Sequence, residues 1–447
     1  VKIPERPPTF DEILDEEATD SEALRRIIET SQPVDDKGKY LHWDDMANRT
    51  PPAGLTRKEW WLGTSLARRA TSRLLPFTSV DGQQFRFSNI DLIQETVHRI
   101  DQQASGRILT DEMTSELRSG QQHLVRSLIE EAIASSQMEG ADSDRREAEE
   151  MLTTGRKPRD RSEMMIAKNY AALQFVLKRS AEELSPEMIL ELHRVLTEGT
   201  FDDPEASGRF QTPDDERAVV YWKDGTLFHQ PPPAEELPLR IRELCDFANN
   251  VNQQGFIHPI VKAIIIHFFI RYDHPFEGGN GRVSRALFYW SMLHDHYWLM
   301  KYLSISSILI QNSSKDPRSY LYSRTDDHDI TYFIIFQLGV IERAIQSLYE
   351  QFAQESAESG AIERLVHGSA RLNPRQIAAL QSALQDGSES FTIAGQAGRH
   401  GVTQETARSD LMGLAALGLF TKGKVKNRFV FRPADGLAGR LRDLRST

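Results

Sequence analysis

Between Ile257 and Trp290 an apolar run, a glycine-rich break and a second apolar run follow directly on one another, and this succession constrains the chain more than any other feature. The first run, Ile257 to Tyr272, has helical length. The break is His274-Pro275-Phe276-Glu277-Gly278-Gly279-Asn280-Gly281-Arg282-Val283-Ser284-Arg285, and Ala286-Leu287-Phe288-Tyr289-Trp290 then resumes helical periodicity. The segment therefore reads as a loop that opens a helix. N–H groups at a helix start point outward unpaired, and the macrodipole adds partial positive charge, which together suit a phosphate oxygen. Glycines let that backbone approach closely. A lone histidine more often packs as a satisfied core side chain, but His274 stands beside this cradle and two arginines. Imidazole, with an ordinary pKa of about 6.5, is the natural general base at neutral pH. A base next to a bound phosphate implies phosphoryl or nucleotidyl transfer.

A chain of 447 residues exceeds one ordinary core, so two or three domains are expected. The single cysteine, Cys245, excludes a disulfide framework and fits a reducing compartment. The longest apolar run is interrupted by Lys262 and His267, and no leader pattern opens the sequence, so neither a membrane span nor a signal peptide is expected and the reading is cytoplasmic. Net charge is −11, unevenly spread: from Ala370 onward 12 Lys and Arg face 6 Asp and Glu, a local +6 that leaves −17 before it. Two surfaces of opposite sign imply two kinds of partner.

Along the chain, residues 1–105 read as an ordered N-terminal module with aromatic clusters at Tyr40-Leu41-His42-Trp43 and Trp60-Trp61 and no assigned role. Helical spacing covers Leu109 to Gly140 and Ser162 to Arg179, and Ser185-Pro186-Glu187 has the cap, proline and acidic first turn that open a further helix. Val219-Val220-Tyr221-Trp222, an Asp224-Gly225 turn and Thr226-Leu227-Phe228 read as a β-hairpin flap, ended by three prolines at 231–233. Helices return over Glu235 to Asn250, Pro259 to Tyr272, Asn280 to His294 and Thr331 to Ala353. Residues Glu355 to Ser369 read as a link. Beyond it, helices at Pro374 to Leu384, Ile393 to Arg399 and Gln404 to Leu417, followed by the basic pair of strands around Lys422 and Arg428, read as a winged helix-turn-helix over 370–447. There Gln404, Arg408, Lys422, Lys424, Lys426 and Arg428 are the candidate DNA contacts, with protein docking the competing use of such a domain.

The break at His274 to Arg285 resembles the signature of the Fic (Fic/Doc) family, His-Pro-Phe-x-(Asp/Glu)-Gly-Asn-Gly-Arg-x-x-Arg, at every specified position but one. Leu192-His193-Arg194, Cys245-Asp246-Phe247-Ala248-Asn249, His258-Pro259 with His267, and Asp329-Ile330-Thr331 extend the resemblance over roughly residues 110–350. It implies a mainly α protein: an all-helical Fic core at 106–355 with a β-hairpin flap. It also implies AMPylation, the transfer of AMP from ATP, with Mg²⁺, to a Ser, Thr or Tyr hydroxyl of a target protein. By the same resemblance His274 is the base, and Gly278, Gly279, Asn280, Gly281, Arg282, Val283, Ser284 and Arg285 hold the nucleotide, with Arg285 on the γ-phosphate. Tyr320 stands on the adenine side, packing being its plain alternative, and Val219 to Trp222 clamp the target segment by strand addition. Histidines 193 and 267 are assigned to the core. Gly278 departs from the signature, which has a metal-binding acid there; Glu277, one place earlier, is the candidate to replace it. Asp273 stands where the family carries an apolar residue.

Ser135-Ser136-Gln137-Met138-Glu139-Gly140 resembles the family's inhibitory motif Ser/Thr-x-x-x-Glu-Gly/Asn, placed ahead of the core as in its second class. The resemblance implies that a helix near 125–140 sets Glu139 against Arg285, with Ser135 and Gly140 completing the motif, or that Glu139 aligns a water that removes AMP from modified targets. Two other readings stay open: a Doc-like phosphotransferase with an inverted nucleotide, and a nucleotide-sensing DNA-binding regulator. The oligomeric state, including a homo-oligomer, stays open too.

Overall fold

The apolar run of the sequence becomes the central helix of a mainly α-helical protein. The computed structural model describes residues 3–17, 21–52, 54–104, 121–217, 220–221, 227–251, 255–312, 315–367, 372–385, 390–425, 428–437 and 439–441. It divides into two compact units, Val1–Leu348 and Tyr349–Thr447. In the first, the helices α1 (Phe10–Glu17), α2 (Ser21–Thr30), α3 (Trp43–Met46) and α4 (Arg57–Ala70) precede an antiparallel hairpin of β1 (Ser72–Thr78) and β2 (Gln84–Ser88) and then α5 (Asp91–Ala104). There follow α6 (Gln121–Met138), α7 (Arg145–Thr154), α8 (Arg161–Arg179) and α9 (Pro186–Thr197). The short strands β3 (Val220–Tyr221) and β4 (Leu227–His229) come next, then α10 (Leu237–Ala248), α11 (Pro259–Asp273), α12 (Asn280–His294), α13 (Ile305–Gln311), α14 (Lys315–Thr325) and α15 (Thr331–His367).

Helix α11 is buried on nearly every side, which is why its sequence is apolar all round rather than striped. Its two interruptions are accommodated differently, Lys262 by an ion pair and His267 by ring packing that leaves its buried Nε2 without a hydrogen-bond partner among the described residues. Lys262 Nζ pairs with Asp295 at 3.0 Å, and His267 packs among Phe288 and Phe333 with burial holding its imidazole well below the usual value. Helix α12 lies along α11, and α6, α8 and α9 pack around the pair. The N-terminal 105 residues belong to this same unit: Phe77 and Phe85 of the β1–β2 hairpin pack on Phe269 of α11, the first tilted and the second edge-on. Arg68 of α4, 4% exposed, donates to Tyr332 Oη at 2.9 Å and to the Leu41 carbonyl at 2.7 Å.

One expectation is corrected here. The segment read as a link from Glu355 continues as helix, α15 running to His367, because Ala, Glu, Arg and Leu dominate it and one glycine costs only about 1 kcal/mol. The boundary between units falls at 348/349, inside that helix. In the second unit α16 (Pro374–Gln385), β5 (Phe391–Thr392), α17 (Ile393–His400) and α18 (Gln404–Ala416) lead to β6 (Phe420–Val425) and β7 (Arg428–Pro433). Its three strands form an antiparallel sheet in the order β5-β7-β6 over a core of Leu380, Leu411, Leu414, Leu419 and Phe431. Among the described residues, no helix is long and apolar enough to cross a membrane.

Candidate active site

Helix α11 ends where His274 adopts a left-handed backbone, φ 46°, with its N–H still bonded to the Ile270 carbonyl at 3.1 Å. A non-glycine residue pays a steric cost there, and the surrounding contacts hold it. Arg217, just before the flap, donates to the carbonyls of Asp273 (2.6 Å), His274 (3.0 Å) and Pro232 (3.0 Å), and to Gln211. The Gln211 N–H in turn bonds to the Pro275 carbonyl at 2.8 Å. Asp273, unassigned from sequence, is 1% exposed and receives Arg240 at 3.2 Å; burial pushes its carboxyl up to about 7 against the pull of Arg240 and Arg217. Burial and the Arg217 cation lower the His274 imidazole to about 4, although the Arg271 carbonyl and Glu139 pull the other way. His274 is therefore neutral at pH 7, the form that can accept a proton.

The glycine loop is locked by its own asparagine. Asn280 Oδ1 accepts the Phe276 N–H at 3.0 Å while its Nδ2 donates to the Phe276 carbonyl at 2.8 Å. Phe276 stacks on His193, rings 3.7 Å apart and nearly parallel. His193 Nδ1 accepts the Gly208 N–H at 2.9 Å, which leaves Nε2–H to donate to the Gly278 carbonyl at 3.0 Å. The core histidine thus also supports the loop. Gly279 sits at φ 78°, and a Cβ at Gly278 would stand 3.0 Å from Phe201 Cε1 and 3.3 Å from Cζ. A phenyl ring therefore occupies the volume beside the position where the signature carries an acid.

Helix α12 starts without a side-chain cap, so the N–H groups of Asn280, Gly281 and Arg282 lack intrahelical partners. Val283 is the first to bond back, to the Gly279 carbonyl at 2.9 Å. The Glu139 carboxylate lies against this open end: a Cβ on Gly281 would overlap it. Its Oε1 also pairs with Arg285 Nη2 at 3.0 Å, and Arg285 donates further to Ser135 Oγ (2.8 Å) and to the Ser135 carbonyl (2.9 Å). Burial works to raise the Glu139 carboxyl, and Arg285, with Arg282 and Arg271 behind it, outweighs this and holds it below the usual value. Gly140, at φ 90°, supplies the backbone turn that ends α6. Arg282, 3% exposed, donates to the Leu196 carbonyl at 3.0 Å and keeps a buried Nε without a hydrogen-bond partner; burial lowers it to about 10, so it stays cationic. Ser284 turns its hydroxyl to the Gly281 carbonyl and Val283 is buried, so these two contribute backbone rather than side chains.

The remaining candidates fall as follows. Tyr320 is 2% exposed, enclosed by Phe268, His229 and Arg271, so in this conformation it is core packing and offers no face to an adenine. Glu277 is exposed on the loop rim, and among the described residues no group of three or more His, Cys, Asp or Glu could hold a metal ion. In the flap, Val220 pairs with His229 and Tyr221 with Leu227, while Val219 and Trp222 lie outside the described residues. His229 Nε2 bonds to the Tyr272 carbonyl at 2.6 Å and ties the flap to α11. In the second unit Gln404, Arg408, Lys422 and Lys424 are exposed, and Lys422 lies over the Phe429 ring at 4.1 Å. Lys426 lies outside the described residues, and of Arg428 only the backbone is described. Sequence reasoning missed Arg217 and Phe201, whose roles depend on carbonyls and a glycine that only folding brings to them.

Residues 183–292 match the model of the Fic/DOC family. Over 182 residues, 41% of this chain and 33% of the relative, the sequence is 26% identical to a protein called protein adenylyltransferase Fic from Drosophila grimshawi. Over 141 residues, 31% of this chain and 25% of the relative, it is 30% identical to protein adenylyltransferase fic-1 from Caenorhabditis elegans. The match thus spans a third or less of the length of these curated relatives. Among solved structures, a Fic family protein from Desulfovibrio desulfuricans G20 is similar with a TM-score of 0.49 at 18% identity, over 78% of this chain and 97% of that one. Fic-1 from C. elegans is similar with a TM-score of 0.49 at 16% identity, over 78% and 90%.

Proposed function

We propose that this chain, which carries a Fic/DOC family domain over residues 183–292, is a protein adenylyltransferase held at rest by its own Glu139. The observation that carries this reading is one carboxylate lying on both Arg285 and the uncapped start of α12, close to a neutral His274. An anion already sits where the helix start favours one. With Glu139 displaced, the N–H groups of Asn280, Gly281 and Arg282 hold the α- and β-phosphate oxygens of ATP, the Arg282 cation backs them, and Arg285 takes the γ-phosphate. Guanidinium groups suit charge spread over several oxygens. His274 removes the proton from a Ser, Thr or Tyr hydroxyl of the target. That oxygen bonds to the α-phosphorus while the bond to the bridging oxygen breaks, and pyrophosphate leaves.

The flap from Val219 to Trp222 holds the target chain by strand addition, which is tolerant of sequence. With Gly278 and the Phe201 ring there is no carboxylate at the usual metal position; Glu277 is the loop carboxylate that would hold an Mg²⁺ ion arriving with the nucleotide, where the ion would neutralise phosphate charge. By the same family resemblance, Glu139 is also the residue to align a water that removes AMP from a modified target. We read residues 370–447 as a winged helix-turn-helix that binds DNA through Gln404, Arg408 and the basic wing, 106–355 as the Fic core, and 1–105 as a module built onto that core.

The test incubates the chain and its Glu139→Gly variant with target lysate and ATP labelled at the α- or the γ-phosphate, with His274→Ala as control. Label transferred from the α-phosphate alone supports adenylyl transfer. Label from the γ-phosphate alone identifies a Doc-like phosphotransferase, and no transfer from either favours the nucleotide-sensing regulator.

A further inference from the structure

Two turns before Glu139, α6 carries another carboxylate, this one fully buried, that the proposed reaction does not use. Glu131 is 2% exposed, and its oxygens accept the Ser306 N–H at 2.9 Å, Ser304 Oγ at 2.9 Å and Ser306 Oγ. Ser304 caps α13, and Ser306 lies in its first turn. The neighbouring Glu130 accepts Ser307 Oγ at 2.9 Å and pairs with Arg145. The segment that enters α13 is in turn fastened to α12: Tyr289, one turn beyond Arg285, donates its hydroxyl to the Leu303 carbonyl at 3.0 Å and accepts the Ile305 N–H at 2.9 Å. Helix α6 is therefore joined to α12 through Arg285 and again around Glu131, which acts on Tyr289 itself and, through the start of α13, on the segment Tyr289 holds. The two carboxylates stand about 12 Å apart along the helix axis.

A buried carboxylate is a costly way to pack a helix, and burial pushes the Glu131 carboxyl up against the pull of the Ser306 and Ser304 bonds and of Arg285. Leu128 and Ser135 flank it on the same buried face, where an apolar side chain would serve packing alone. What the carboxylate adds is direction. Three donors converge on one point, so α6 can neither slide nor rotate without leaving them unpaired. Asn169, bonded to the Ala132 carbonyl at 3.2 Å, touches α6 from the α8 side with a single amide and gives no comparable focus.

We propose that Glu131 is a positioning residue that holds α6 in the register at which Glu139 meets Arg285, making the Ser304–Ser306 turn a second lock on the resting state. The inference rests on the reading of Glu139 as the inhibitor. Its consequence is that anything loosening the turn at Ser304–Ser306 releases Glu139 without touching the nucleotide site.

The test measures, on the full chain, the affinity for a non-transferable ATP analogue with Mg²⁺ by calorimetry in wild type, E131Q, S306A, E139G and E131Q/E139G. Gln keeps the size of the side chain but turns charge-assisted hydrogen bonds into neutral ones, so E131Q tightens binding about fivefold. S306A acts in the same direction. In the E139G background E131Q adds nothing beyond about twofold, because the inhibitor it positions is gone. Hydrogen exchange over 123–138 rises in E131Q, which ties the gain to α6. A merely structural role lowers the melting temperature and leaves the affinity unchanged. The proposal is overturned by affinities of E131Q and S306A within twofold of wild type, or by equal gains in both backgrounds. If E131Q does not fold, S306A and S306A/E139G decide on the same terms. An E139G variant that binds no tighter than wild type removes the inhibitory reading itself, and this one with it.

Discussion

Replacing Glu139 by glycine tests whether the contact at Arg285 governs access to the nucleotide site. The pair is 3.0 Å apart, Arg285 is 6% exposed and Glu139 30%. A hydrogen bond between charged groups contributes about 1.5–3 kcal/mol, and the partial exposure of Glu139 places this one toward the lower end, at about 2 kcal/mol. Losing it, and with it the anion at the α12 start, tightens apparent ATP affinity by roughly thirtyfold. Arg285 does not swing free in the variant, since Ser135 Oγ at 2.8 Å and the Ser135 carbonyl at 2.9 Å still hold it. The gain therefore reads the release of the site rather than its collapse. Calorimetric titration of wild type and Glu139→Gly with the ATP analogue, beside transfer assays with α-labelled ATP, measures both binding and turnover. Affinity within twofold of wild type, with the variant folded, would refute the argument. Glu139→Gln gives an intermediate effect, because the amide can accept from Arg285 but carries no charge.

Three further outcomes follow from the site and the second unit. In the Glu139→Gly background, His274→Ala lowers transfer about 100- to 10,000-fold while ATP affinity stays within about twofold; loss of ATP binding in the same calorimetric assay would make His274 a loop support instead of a base. The imidazole is held at about 4 by burial and Arg217. Removing Glu139, which pulls it upward, lowers it further, so kcat/KM for ATP of Glu139→Gly stays flat from pH 8 down to about 5. An acid limb near 6.5 would mean an unperturbed imidazole. For the second unit, titrating a DNA duplex against salt before and after Lys422→Ala, Lys424→Ala and Arg428→Ala together should flatten the logarithmic salt slope by about 0.9 per lost phosphate contact; an unchanged slope points to protein docking.

How much of this could be read beforehand varied with the kind of signal. The loop and its helix were legible because glycine, imidazole and guanidinium have chemical uses that survive without knowledge of the fold, whereas Glu139 was singled out by the resemblance of the stretch from Ser135 to Gly140 to the family's inhibitory motif. The flap strands were found from an Asp-Gly turn. The same signal, Asp81-Gly82 between Ser72–Thr78 and Gln84–Ser88, was passed over at β1–β2, where Pro76 weakens the strand pattern. Arg217 gave no signal at all: a single arginine in a loop gains its role only when folding brings four acceptors to it. The end of α15 was misplaced because serine and glycine were weighed above the alanine and glutamate around them. Burial explains Tyr320, which periodicity could place on a helix but not on a face.

The contact between Gly278 and Phe201 makes an acidic side chain and a phenyl ring rival tenants of one volume. A Cβ at Gly278 reaches Phe201 Cε1 at 3.0 Å before any carboxyl is attached. A single change to aspartate therefore needs the ring to give by a few tenths of an ångström, and that ring leans toward His193, their centroids 6.0 Å apart, and so toward the histidine that holds the loop's own carbonyl. The residue at 278 and the residue at 201 are best thought of as one two-letter word. Sequences related to this one should spell it as glycine with an aromatic ring or as an acid with something smaller, and an engineer restoring the acid should change both letters together.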